Sequence, residues 1–205
     1  MSEQDQHELN QFEALIQGLL DQKYAYVDDF LPAEIIQGLV DNLSNLCTSD
    51  AMKWAGIGNK MVLKYDKLVR NDRVHWIEDD TTDPFEKVYM EKINRFIQYL
   101  NTTCYTSIKT YESHYANYEV GSFYKKHIDQ FKTEKGRKFS IILYLNQDWK
   151  EGDGGKIGLY PKGADPVYIL PTAGRIVFFR SDELEHEVFP SHTRERNSIA
   201  GWMKN

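Results

Sequence analysis

The sequence predicts a mainly β fold with flanking helices (α+β), in which helices pack on the outside of a C-terminal jelly roll. Three observations predict it. From about residue 105 the apolar spacing changes from helical to strand period. Short apolar runs then recur, each closed by Gly, Pro, Asp or Asn. Aromatic residues reach 13%, with 13 Tyr and 10 Phe, which suits pleated sheets. Many short strands with turn signals argue for a sandwich or barrel and against a βαβ array.

The elements follow in order. MSEQDQHELN reads as a polar, acidic tail. LNQFEALIQGLL (9–20) carries Leu9, Phe12, Leu15, Ile16, Leu19 and Leu20 as a helical stripe. YAYVDDFL (24–31) is a short strand-like run. PAEIIQGLVDNLSNL (32–46) is an amphipathic helix with proline near its first turn. GIGNKMVLKYDKLVRNDRVHWIEDD (56–80) is Gly-punctuated and charged, with VHWI as a strand. DPFEKVYMEKINRFIQYLN (83–101) is again helical. Strands are then expected within 108–119, in RKFSIILYLN (137–146), and in GDGGKIGLYP, DPVYILP, GRIVFFRS, HEVFP and ERNSIAGWM.

A chain of 205 residues suits one domain, 1–205, with helical support over about 8–104 and a jelly-roll core over about 105–204. The net charge of −6 favours neither nucleic acid nor an anionic membrane as partner. Cys47 and Cys104 form no disulfide framework and suit a reducing compartment. The N-terminus lacks the pattern of a signal peptide, and no apolar run approaches membrane-spanning length. The expectation is a cytoplasmic protein.

The chemistry centres on YKKHIDQF (124–131). In a strand, His127 and Asp129 would point to one face and bring an imidazole and a carboxylate together. That is two thirds of a facial metal triad. Of the six histidines, His7 reads as solvated and His75 as a strand residue with a structural hydrogen bond. His114 and His192 stand beside Ser in turns or strand edges. His186 opens HEVFP after the turn-like SDELE, far from Asp129 in sequence but reachable across a two-sheet barrel, with His114 and His192 as the weaker candidates for a third ligand. Two imidazoles and a carboxylate hold Fe(II) on one face and leave the other open for an oxo-acid and O2. Such an acid carries a second carboxylate, which a buried guanidinium would pair with. Arg196 alternates with Ser198, Ala200 and Trp202, a plausible anion pocket. The residues alone leave other readings open: HxD as a polar strand edge, and Arg194 and Arg196 as edge-strand solubility residues. Ile142, Ile157 and Val188 could dry a pocket or simply pack. Tyr124 reads as a pocket-wall or core aromatic. Gly154–Gly155 reads as a tight turn. The cluster Lys125, Lys126, Lys132, Lys135, Arg137 and Lys138 is a solvated face or a steering patch for an acidic protein.

Tyr118-x-x-Gly121-x-x-Tyr124-x-x-His127-x-Asp129 resembles the prolyl 4-hydroxylase group of Fe(II)/2-oxoglutarate oxygenases. PTAGRIVFFRSDELEHEVFPSHTRERNSIAGWM resembles that group's distal-histidine and arginine segment. VRNDRVHWIE (69–78) and YAYVDDFLPAEIIQGLVDNL are similar to runs of its hypoxia-factor prolyl hydroxylase branch, which includes bacterial relatives. The resemblance spans about residues 24–203. It implies a double-stranded β-helix core, with His127, Asp129 and His186 as iron ligands and catalytic centre. It implies Arg196 on the distal carboxylate of 2-oxoglutarate, with the Tyr144 hydroxyl meeting the same carboxylate and Tyr118 near the cosubstrate, beside the Ser198 and Trp202 that strand alternation already places in the pocket. Arg70 and Asp72 would begin a mobile loop that helps cover the substrate. The implied reaction is O2-dependent hydroxylation of a prolyl residue in a protein, releasing succinate and CO2, with L-ascorbate as a candidate reductant. The same chemistry on a small molecule or a non-prolyl side chain, or a non-catalytic sensor module, are the alternatives. Two departures stand out. Asn71 replaces the branch's usual glycine, which would stiffen the loop. The interval from His186 to Arg196 is one residue longer than in the animal enzymes, which leaves Arg194 as a rival; the distance to Trp202 favours Arg196.

Overall fold

Two antiparallel sheets face each other in the computed structural model, which describes residues 2–56, 66–130 and 136–205. The strands are β1 (Tyr24–Val27), β2 (Lys53–Trp54), β3 (Arg73–Ile77), β4 (Thr110–Tyr118), β5 (Tyr124–His127), β6 (Arg137–Tyr144), β7 (Ile157–Tyr160), β8 (Val167–Ile169), β9 (Ile176–Arg180), β10 (Glu185–Val188) and β11 (Arg196–Lys204). The major sheet runs β1-β9-β6-β11-β4-β3-β2 and the minor one β5-β10-β7-β8. Together they form the double-stranded β-helix, and the expected class, mainly β with flanking helices, is the one observed. The sheet draws β1, β2 and β3 from the first eighty residues, so the N-terminal third supplies strands as well as helices. Residues 57–65, within the glycine-punctuated 56–80 run, lie outside the described residues, as do Lys132 and Lys135.

The helices are α1 (Glu3–Gln22), α2 (Ala33–Thr48) and α3 (Pro84–Thr103). α1 begins well before the apolar stripe, which corrects the reading of the first residues as a tail. Ser2 and Asp5 cap each other's backbone there, the Ser2 N–H donating at 2.8 Å and the Asp5 N–H at 3.1 Å. The Asp83 carboxylate accepts from the Phe85 and Glu86 N–H groups at 2.9 Å each, which starts α3.

Strand alternation divides the major sheet cleanly. Tyr115, Ile141, Leu143, Phe178 and Ile199 point outward and pack on Phe12, Leu39, Ile93 and Phe96 of the helices. Ile142, Tyr144, Val177 and Phe179 point inward and meet Ile157, Leu159 and Ile169 of the minor sheet. Ala116 and Tyr118 meet Val188 beside them. With apolar residues on both faces, β6 reads as an almost continuous apolar run, and its pleat is hidden from a simple period test. The helices fix the outer face. What remains polar on the inner face lies in the gap between sheets.

Candidate active site

The metal-ligand candidates come from the minor sheet. β5 and β10 pair with His127 directly opposite His186. β5 ends at His127, so Asp129 lies in the bend beyond it and not on the strand. The i, i+2 pleat expected from the sequence is therefore not what joins His127 to Asp129; the chain turns Asp129 back onto the pair. The imidazole Nε2 atoms of His127 and His186 stand 3.3 and 3.6 Å from the two Asp129 oxygens. One ligand atom from each of the three residues lies within 4.8 Å of the others.

Each imidazole has its other nitrogen engaged. Nδ1 of His127 sits 2.7 Å from the Lys125 carbonyl and Nδ1 of His186 3.1 Å from the Leu184 carbonyl. A carbonyl only accepts, so Nδ1 carries the proton and Nε2 keeps its lone pair for an ion. The Ser140 hydroxyl donates to Asp129 at 2.6 Å. Burial alone would raise the Asp129 pKa. His186, His127 and Ser140 outweigh it and hold the carboxyl well below its usual range. Burial, with His127 adding to it, pushes His186 down to about 4. A carboxylate beside a neutral His186 is the protonation state that a divalent ion requires.

The major sheet supplies the other half. Arg196, at the start of β11, is 1% exposed. Its Nε donates to the Gly155 carbonyl at 2.9 Å and its Nη1 to the Ser198 hydroxyl at 3.4 Å. Nη2 and the Tyr144 hydroxyl are both buried and have no hydrogen-bond partner among the described residues. The guanidinium carbon lies 5.0 Å from the ring centres of both Tyr118 and Tyr144. Burial raises the Tyr144 pKa despite the nearby guanidinium, so its O–H stays protonated and can donate. An orphaned N–H and an orphaned O–H at one buried point constitute a cradle for an anion. The carboxylate of an oxo-acid fits this chemistry, and the donor set of two imidazoles and a carboxylate fits non-haem Fe(II).

Other residues fall as follows. Arg194, the rival cation, is half-exposed and reaches Asp153 at 3.3 Å. Trp202 shares the inner face of β11, but six positions along, or about 20 Å at strand rise, which removes it from the Arg196 cradle. It stacks instead under Arg137 at 3.6 Å and beside His114. His114 is not at a turn or edge: it is 4% exposed in mid-β4. Arg70 and Asp72 are joined by two hydrogen bonds of 2.7 and 2.5 Å, and Asp72 is buried. Asn71 accepts from the Phe123 N–H at 2.7 Å, a bond glycine could not make. Gly154 and Gly155 have φ of 73° and 66°, and a Cβ on Gly155 would stand 3.4 Å from Arg196 Cδ. His75 meets the Ala51 carbonyl at 3.3 Å. Ile142, Ile157 and Val188 are buried between the sheets. Sequence reasoning passed over Ser140, whose signal was its even spacing with Ile142 and Tyr144 on one face.

Fold and site together define a class: a double-stranded β-helix protein with a facial His-x-Asp…His set and a buried arginine suited to an oxo-acid. Residues 113–204 match the family model described as the 2OG-Fe(II) oxygenase superfamily. The chain is 41% identical over 85 residues to the Caenorhabditis elegans hypoxia-inducible factor prolyl hydroxylase, covering 40% of this chain and 12% of that protein. It is 31% identical over 185 residues to human Egl nine homolog 1, covering 86% of this chain and 42% of that protein. The chain thus spans less than half the length of these relatives. A solved Pseudomonas putida prolyl-4-hydroxylase superposes with a TM-score of 0.87 at 26% identity, over 95% of this chain and 99% of that one.

Proposed function

We propose that this protein is an Fe(II)/2-oxoglutarate-dependent dioxygenase that hydroxylates a prolyl residue in a protein substrate. The observation that carries the reading is the joint geometry: three convergent donor atoms, from two strands of the minor sheet and the bend after one of them, and, on the sheet facing them, a buried guanidinium N–H that has no hydrogen-bond partner among the described residues. The relatives' names, hypoxia-inducible factor prolyl hydroxylase and prolyl-4-hydroxylase, support the choice of a prolyl target and of a protein as its bearer. Bound iron with its oxo-acid supplies O2-dependent oxidation of an unactivated C–H bond, coupled to conversion of 2-oxoglutarate to succinate and CO2.

The chain's own residues have separable tasks. His127, Asp129 and His186 would hold the ion through Nε2, carboxylate and Nε2. Arg196 and Tyr144 take the far carboxylate of the cosubstrate, with Tyr118 as a wall and Ser198 steadying the guanidinium. Ile142, Ile157 and Val188 keep water from the gap, which strengthens each charge interaction inside it. Incubation of the protein with Fe(II), 2-oxoglutarate and proline-containing polypeptides should release succinate and add one oxygen atom to a prolyl residue, read by mass spectrometry. Succinate release that His127→Ala leaves unchanged would refute the site. Oxygen added to another residue type would refute the prolyl target alone.

A further inference from the structure

Tyr124 has no task in the scheme above, yet it is in contact with the centre. Its ring lies almost flat on that of His127, with centroids 3.6 Å apart and planes 17° apart. The guanidinium carbon of Arg70 stands 4.3 Å from the Tyr124 ring centre. Arg70 is itself clamped by Asp72 through the pair of hydrogen bonds already described. The backbone fastens the same two segments. The Asn71 N–H donates to the Phe123 carbonyl at 3.3 Å and the Lys125 N–H to the Val69 carbonyl at 2.9 Å, with Arg70 bridged to Tyr124.

The physical consequence concerns the freedom of one ring. The Lys125 carbonyl holds Nδ1 of His127, but a single hydrogen bond leaves the imidazole free to tilt about it. A flat aromatic neighbour opposes tilting, because any rotation out of plane meets the Tyr124 carbons. The Tyr124 ring is in turn held by a desolvated cation whose own orientation the buried Asp72 fixes. The links run from Asp72 to Arg70, to Tyr124, to His127, and so to the donor atom facing Asp129.

We infer that Tyr124 is a positioning residue for the metal-ligating imidazole of His127, held in place by the Arg70–Asp72 pair, so that retention of the metal and docking of residues 69–73 are linked. The inference rests on the metal-centre reading and adds a residue and a coupling to it. Linkage is reciprocal: if the docked segment steadies the ion, the ion steadies the segment. Plain packing is the competing explanation, and it predicts no coupling.

The test is chelator-driven release of Co(II), followed by its visible absorption, together with amide hydrogen exchange at Asn71 and Lys125. The proteins are the full chain and its Tyr124→Leu, Tyr124→Phe, Asp72→Asn and His127→Ala variants. Tyr124→Leu should release the metal about 10- to 100-fold faster, as loss of an outer partner of a ligand does. Tyr124→Phe keeps the stacked ring and should stay close to the natural protein. Asp72→Asn, which unclamps Arg70, should fall between them and carries the test if Tyr124→Leu does not fold. Metal should slow exchange of the two amides in the natural protein and leave it unchanged in Tyr124→Leu. Release from Tyr124→Leu at the natural rate would overturn the inference while leaving the metal centre intact. Loss from Tyr124→Phe as fast as from Tyr124→Leu would overturn the role of the stack. A natural protein that holds Co(II) no longer than His127→Ala would remove the underlying reading, and this inference with it.

Discussion

Arg196→Met removes a charge while keeping most of the side-chain length, and its effects on binding and on stability should have opposite signs. In the folded chain the guanidinium is 1% exposed and spends two N–H groups on Gly155 and Ser198, while Nη2 has no partner among the described residues. Removing one member of a buried, hydrogen-bonded charge pair costs about 2–5 kcal/mol, because the other charge is left desolvated. At about 1.4 kcal/mol per decade, the dissociation constant for 2-oxoglutarate should rise at least about 30-fold. Arg196→Lys retains the charge but not the fork that reaches Gly155 and Ser198, so it should recover only part of that loss. Without ligand the balance reverses. A buried cation with an unsatisfied N–H is a net cost to the fold, and an apolar replacement of similar volume is commonly neutral or stabilising. The metal-loaded protein titrated with 2-oxoglutarate by calorimetry gives the first quantity, and thermal unfolding of the ligand-free protein gives the second. A folded Arg196→Met protein that binds 2-oxoglutarate within about threefold of the natural one, a difference of about 0.7 kcal/mol, would refute the assignment.

Three further outcomes follow from groups elsewhere in the fold. Burial, with the Arg70 charge adding to it, pushes the His114 pKa down to about 3. Its unfolded value is about 6.5, so the unfolded chain binds the extra proton between those limits and stability falls as pH drops from 6.5 towards 3, by up to about 1.4 kcal/mol per unit. Thermal midpoints of His114→Gln should lack that part of the slope, and an identical slope would refute it. Lys92 is buried, with Nζ donating to Gln11 Oε1 at 2.7 Å and to the Phe30 carbonyl, and burial lowers its pKa to about 8. The folded state then disfavours its proton, so stability should rise as pH rises from 8 to about 10.5, and Lys92→Met should abolish the rise in denaturant titrations. Gly38 packs under α3, and a Cβ there would overlap the Phe85 ring. Gly38→Ala should therefore destabilise by about 1–3 kcal/mol, at about 2–4 °C per kcal/mol in the thermal midpoint; an unchanged midpoint would show that the helices separate freely.

Much of this was legible in the sequence, and the limits are physical. The stripes of α2 and α3 are one-sided, so their helical period survives. The first turns of α1 are invisible to a period test because they are exposed and held by the Ser2–Asp5 cap, which leaves no stripe. β2 was missed because a two-residue strand has no period. The convergence of His127 and Asp129 was anticipated through the wrong cause, since a pleat was assumed where the chain bends. The Ser beside His114 suggests a turn or strand edge in the sequence. In the fold Ser113 and His114 point to opposite faces of a central strand, and the histidine takes the aromatic slot between Trp76 and Trp202. Contacts between remote segments, such as Tyr124 with Arg70 or Ser140 with Asp129, have no local signature at all. They depend on which strands lie side by side.

That dependence explains why the centre sits where it does. The donors of the metal set belong to strands β5 and β10 of the minor sheet and the bend after β5, whereas the anion cradle belongs to β6 and β11 of the major sheet. Neither sheet carries a complete site. Their separation is set by apolar side chains between them, and Phe179 does both jobs: it belongs to the inter-sheet core and lies 4.7 Å from the His186 ring. A close-packed interior resists compression and leaves few voids, so the distance from the three donor atoms to Arg196 is set by core volume. An oxo-acid that reached both ends at once would thereby be measured by length. The helices on the outer face matter to this indirectly. By covering the outer face of the major sheet they allow its inner face to hold Arg196, Ser198 and Tyr144 in a gap where buried polar groups are costly unless a ligand satisfies them.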